Sequence, residues 1–87
     1  MTPTSDERFA EVFRQHYPRL VVLARRVLGD TGEAEDAAQE AMLALRTNAV
    51  SERSDDDIAA WLNRVVTNGS LNRLRGRRRA EVRAEVV

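Results

Sequence analysis

The chain has 87 residues with no cysteine, one histidine, and 14 basic against 14 acidic side chains, so its formal net charge is zero. A chain of this length makes one small domain that buries only about 60% of its unfolded surface, and without thiols and with a lone imidazole it suits neither a disulfide framework nor a Cys/His metal site. The longest uninterrupted apolar stretch, Leu20 to Ala24, is far below the roughly 18 residues a membrane span needs, and no signal peptide is present, which points to a cytoplasmic domain with no membrane partner and no cofactor.

Thr4 and Glu7 have the spacing of a capping box and predict a helix start. Phe9, Val12, Phe13, Tyr17, Leu20, Ala24 and Val27 then recur every three or four residues and predict one buried face. His16 lies beside that face and reads as a boundary residue. Pro18 removes a backbone donor in mid-pattern, so a kink or a break into two helical segments is expected there. Gly29 reads as a C-cap. Asp30 and Glu33 repeat the capping-box spacing, and Ala34, Ala37, Ala38, Ala41, Met42 and Leu45 predict a second helix with a narrow stripe of small residues.

Residues 47–57 are rich in Ser, Asn and Asp without helical period, which predicts a surface loop ending in an acidic N-cap. From Ile58 the apolar pattern resumes through Trp61, Leu62, Val65, Gly69 and Leu74. The run Arg77-Arg78-Arg79 then leaves the core, and the tail to Val87 has weak helical character. With no strand signal and no repeat, the pattern predicts an all-α, compact bundle of three to four helices, with residues 1–79 as the domain and 80–87 as a charged tail.

The zero net charge conceals a segregated dipole. Residues 1–57 carry seven arginines against twelve acidic residues, a net of −5, whereas residues 58–87 carry seven against two, a net of +5. A basic end of this kind is the footprint of a polyanion binder. All the cations are arginine, the side chain suited to bidentate contacts with phosphates and base edges, although a GC-rich genome gives the same bias.

Two polar stripes follow from helical spacing. On the second helix Asp36, Gln39, Glu40 and Leu43 lie opposite the alanines. Exposed carboxylates without a cleft do not perform acid/base chemistry, so this stripe is either a solvated surface or a docking face. On the third helix Arg64, Asn68, Asn72, Arg75 and Arg79 share one side, combining cations for phosphates with amides able to pair with a base edge. The alternative there is a solvated arginine face, and the neighbouring Arg77 and Arg78 favour nucleic acid. Trp61 reads as core.

In order and spacing, Tyr17-Pro18-Arg19-Leu20, Leu28-Gly29-Asp30, Glu35-Asp36-Ala37-Ala38-Gln39-Glu40, Trp61-Leu62, Asn68 and Leu74-Arg75 resemble domain two of bacterial sigma factors of the extracytoplasmic-function group. The resemblance implies a non-enzymatic transcription initiation domain. Asp36, Gln39, Glu40 and Leu43 would form the face that docks on the β′ clamp helices of RNA polymerase core. The non-template strand of the minus-ten promoter element would be melted and held. Arg53, Ser54 and Asp55 would surround a base flipped from the stack, Asn68 would contact the strand, and Arg64, Arg75, Arg78 and Arg79 would track phosphates. Asn72 shares that face, where the family often has Asp; the family likewise often has Phe at Met42 and Trp at Arg46. Residues 80–87 would lead to a second, minus-35-reading domain, which this sequence lacks. Two other readings stand beside this one: a protein-interaction module held by an anti-sigma protein, and a double-strand-binding helical regulator. The long 47–57 segment argues against the second, because a helix-turn-helix needs a short turn.

Overall fold

A computed structural model describes residues 4–48 and 53–85. Three helices follow in chain order, α1 (Ser5–Leu28), α2 (Thr31–Thr47) and α3 (Asp55–Glu85), with no strand among the described residues. Residues 49–52 of the expected loop and the last two residues of the expected tail lie outside them.

Both capping boxes form on the N-cap side. The Thr4 hydroxyl accepts from the Glu7 N–H at 3.2 Å, and Asp30 Oδ1 accepts from the Glu33 N–H at 2.8 Å. Each such cap is worth about 1 kcal/mol because it satisfies an otherwise orphaned donor. Gly29 ends α1 with φ of 72°, a left-handed conformation that lets its N–H reach the Arg25 carbonyl. Pro18 does not break α1, which is one continuous helix. The proline lies on the exposed side, while Val12, His16, Leu20, Ala24 and Leu28 bury a stripe spanning both halves.

The six apolar residues expected of α2 are its buried set. On α3 the buried line is Ile58, Leu62, Val66 and Ser70, with Trp61, Val65 and Gly69 half-buried beside it. Ile58 and Leu62 of the expected apolar pattern are buried, whereas Val65 and Gly69 flank the line and their neighbours Val66 and Ser70 occupy it. Phe9, Phe13 and Tyr17 are half-buried against the core, and the last two rings stack at 4.6 Å.

Side-chain ties fix the helix directions. Arg8 meets Asp55, Arg19 meets Asn63, and Arg77 meets the Leu28 carbonyl, so α1 and α3 run parallel. Arg46 reaches Asp6 and Gln39 reaches Tyr17, so α2 runs antiparallel to α1 between its neighbours' termini. The acidic N-cap expected near Asp57 is Ser54, whose hydroxyl accepts from the Asp57 N–H, and Asp55, Asp56 and Asp57 occupy the first turn. Nor does the helix fade after Arg79. It continues to Glu85, and this overhang stretches the molecule to 62 × 20 × 19 Å.

Candidate functional site

α2 presents Asp36, Gln39, Glu40 and Leu43 to solvent while Ala34, Ala37, Ala38 and Ala41, buried to within a few per cent, pack inward. Small residues bring the neighbouring helices close and leave the outer stripe on a rigid support. Leu43 is 60% exposed, an apolar side chain with no packing role in the domain. Beside it Phe9, Phe13, Gln39 and Met42 line an open groove of about 290 Å³, and the Arg46 guanidinium lies over the Phe9 ring at 5.5 Å. The stripe is not uniformly free. Glu40 is ion-paired with Arg73 of α3, and Gln39 donates to the Tyr17 hydroxyl at a long 3.4 Å.

On α3, Arg64, Asn68, Asn72, Arg75 and Arg79 are all exposed, and Arg78 joins them. Asn72 Oδ1 accepts from Arg75 at 3.2 Å, which holds that pair in one orientation. Val82 is 59% exposed among Arg78, Arg79 and Arg83, so the overhang of α3 ends in a basic surface with an apolar centre.

The three expected loop residues separate into different roles. Arg53 places its guanidinium over the Trp61 indole at 5.9 Å. Ser54 is committed to the cap, and Asp55 to a 2.6 Å ion pair with Arg8. Asp57, which the sequence reading passed over, instead lines a shallow cleft of about 250 Å³ with Arg53, Ala60, Trp61 and Arg64. These positions recur at four, three or four, and three residues, so they share one side of the helix start.

The arginine run also divides. Arg77 does not leave the core: it donates from Nη2 to the Leu28 carbonyl at 2.9 Å and sits 2.9 Å from Glu33 Oε2. It thereby satisfies an orphan carbonyl at the end of α1 and ties α3 to the start of α2. Arg73, one turn earlier on the same side, pairs with Glu40. Continuing the buried line Val66, Ser70 by threes and fours reaches Arg73 and Arg77, and that is the signal which separates them from the exposed cations.

His16 is buried, 5% exposed, rather than at a boundary. Arg19 Nη2 lies 2.9 Å from its Nδ1 while Nη1 of the same guanidinium donates to Asn63 Oδ1, so the proton of the neutral ring is on Nε2. Burial, and after it the Arg19 cation, hold the His16 pKa below its ordinary 6.5, while Asp55 pulls weakly the other way.

A family model described as sigma-70 region 2 matches residues 12–80. The chain belongs to that family. Its relatives place it in the extracytoplasmic-function group: it is 42% identical over 67 residues to the ECF RNA polymerase sigma factor SigM of Mycobacterium tuberculosis, covering 77% of this chain and 34% of that protein. It is 33% identical over 69 residues to SigW of Bacillus subtilis, covering 79% and 37%, and 34% identical over 77 residues to SigE of Mycolicibacterium smegmatis, covering 88% and 29%. The chain thus spans about a third of the length of these relatives. No solved structure matches it significantly. Among the described residues no helix of this sigma region 2 domain is long and apolar enough to cross a membrane.

Proposed function

We propose that this sigma region 2 domain is a non-enzymatic transcription initiation module, binding RNA polymerase core through α2 and the non-template strand of a minus-ten promoter element through the start and outer face of α3. The observation that carries this reading is the division of labour between two exposed surfaces on one rigid body. One is the acidic and apolar stripe of Asp36, Gln39 and Leu43 beside the Phe9–Met42 groove, and the other is the Arg64–Asn68–Arg75–Arg79 face. That its relatives are named RNA polymerase sigma factors supports reading the first stripe as a polymerase face and the second as a promoter face.

The chemistry supports a division between grip and reading. Arginines on the outer face neutralise phosphates whatever the sequence, whereas Asn68 and the cleft at the start of α3 offer directional donors and acceptors. Holding a base out of the stack costs a few kcal/mol, which stacking and edge contacts must offset. Titration with a labelled non-template minus-ten oligonucleotide, with and without polymerase core, tests the reading. Binding to the single strand over its duplex, strengthened by core, is the expected result. A domain that captures neither core nor single strand would overturn it.

A further inference from the structure

The proposed strand-binding function gives base reading to Asn68 and the cleft at the start of α3 without naming the residue of that cleft which discriminates, and the cleft is chemically specific. Its aromatic wall is Trp61, half-buried and fixed against the core, with Arg53 stacked over its ring. Arg64 closes the side toward Asn68, one turn further along. Asp57 supplies the acceptors. Its neighbours are otherwise employed: Asp55 is paired with Arg8 and Ser54 caps the helix, while the Asp57 carboxylate makes no hydrogen bond or ion pair among the described residues.

Resting on that reading, we infer that Asp57 is the specificity-determining residue of the cleft and that it selects guanine. A carboxylate accepts two adjacent N–H donors and donates none. Among the four bases only guanine presents two donors side by side, N1–H and the N2 amino group, with the O6 acceptor next to them. The Asp57 carboxylate matches the two donors, and the Arg53 or Arg64 guanidinium matches O6, the pairing arginine makes with guanine in grooves. Cytosine and adenine each offer one amino donor to the carboxylate, and thymine offers a single N–H between two carbonyls. The planar indole and the guanidinium above it supply faces for stacking, which any base can use; the discrimination therefore falls to Asp57.

A first-turn aspartate also stabilises its helix through the backbone dipole, and Asp56 supplies the same term from a position outside the cleft. This makes Asp56→Asn the matched control for charge and helix stability. The test uses short dT oligonucleotides carrying one central guanine, hypoxanthine, adenine or cytosine, titrated against the parent, Asp57→Asn and Asp56→Asn, with helicity checked by circular dichroism. The parent should prefer guanine by about tenfold, the scale of one good bidentate pair, and should lose most of that on hypoxanthine, which lacks the N2 amino group. Asp57→Asn should bind the adenine and cytosine oligonucleotides at least as tightly, since a negative charge near phosphate is gone, while the guanine oligonucleotide loses its advantage and ranks with them. Asp56→Asn should keep the guanine preference. A parent that binds the strand with no guanine preference, or an Asp57→Asn that retains it, overturns the assignment of Asp57 alone. A parent that binds no oligonucleotide, with or without core, overturns it together with the strand-binding function on which it rests.

Discussion

Replacing Arg77 with Ala should destabilise the domain by about 2 kcal/mol while leaving DNA binding per folded molecule unchanged. The magnitude follows from what the side chain holds. Its 2.9 Å donation to the Leu28 carbonyl is a charge-assisted hydrogen bond, worth roughly 1.5–3 kcal/mol. The Glu33 pairing adds less than about 1 kcal/mol, because both side chains retain more than a third of their exposure and water screens them. At roughly 4–8 °C per kcal/mol for a domain of this size, Tm should fall by about 10 °C. Arg78→Ala and Arg79→Ala, on the exposed surface, should change stability by less than about 0.5 kcal/mol. The DNA assay should show the reverse order. Each of those two should flatten the log–log salt dependence of single-strand binding by about 0.7, the share of one phosphate contact, and Arg77→Ala should not. Thermal and urea unfolding followed by circular dichroism supply one axis, fluorescence anisotropy at several salt concentrations the other. If the three variants are equally stable and flatten the slope equally, the inward reading of Arg77 is wrong.

Asp36→Arg and Gln39→Ala should weaken capture of polymerase core in a pull-down with helicity unchanged, since both side chains stand outside the alanine packing; equal capture refutes the α2 docking face. Asn68→Ala should narrow the ranking of oligonucleotides that differ at one minus-ten position while keeping most of the overall affinity, a change visible in competition titrations. Ser70→Ala should be neutral or stabilising by about 1 kcal/mol in urea melts, because the fully buried hydroxyl has no hydrogen-bond partner among the described residues and its removal ends a desolvation cost. His16 should make the domain acid-sensitive. Its folded pKa is lowered, so between 6.5 and that lower value the unfolded chain binds more protons, and this stability is present above pH 6.5 and is lost as pH falls through the folded pKa. Tm measured across this range should fall less on acidification in His16→Gln than in the parent.

The parts of the fold legible in the sequence are those set by local rules. Thr4, Asp30 and Gly29 act within one turn of themselves, and the alanine stripe of α2 leaves a single way to bury it, so caps and stripe appear where spacing puts them. Pro18 misleads for the opposite reason. Its local cost of about 3 kcal/mol is offset by burial along both halves of α1, a tertiary term that no window of sequence contains. The shift from Val65 and Gly69 to Val66 and Ser70 has the same origin, since Val65 and Val66 are equally apolar, only the packing of α1 and α2 chooses between them, and Ser70 is buried by its phase with Val66 rather than by its side chain.

Charge is where the sequence is least explicit, because an arginine that grips phosphate and one that ties two helices together have the same letter. Arg73 and Arg77 lie inside the basic run yet spend their guanidinium groups on Glu40 and the Leu28 carbonyl, while Arg75, Arg78 and Arg79 between and beyond them remain exposed. The acidic end behaves alike: Asp55 is bound to Arg8, and Asp57, two residues on, faces a cleft. Counting charges therefore overstates both surfaces. What separates structural from available charges is helical phase relative to the buried line, so that positions reached from Val66 and Ser70 by successive steps of three and four, Arg73 and Arg77, are consumed by the fold and those on the opposite side are left exposed. By that phase rule the exposed charge of α3 includes Arg64, Arg75, Arg78 and Arg79, and on the proposed function the salt dependence of strand binding should respond to each of these and not to Arg73 or Arg77.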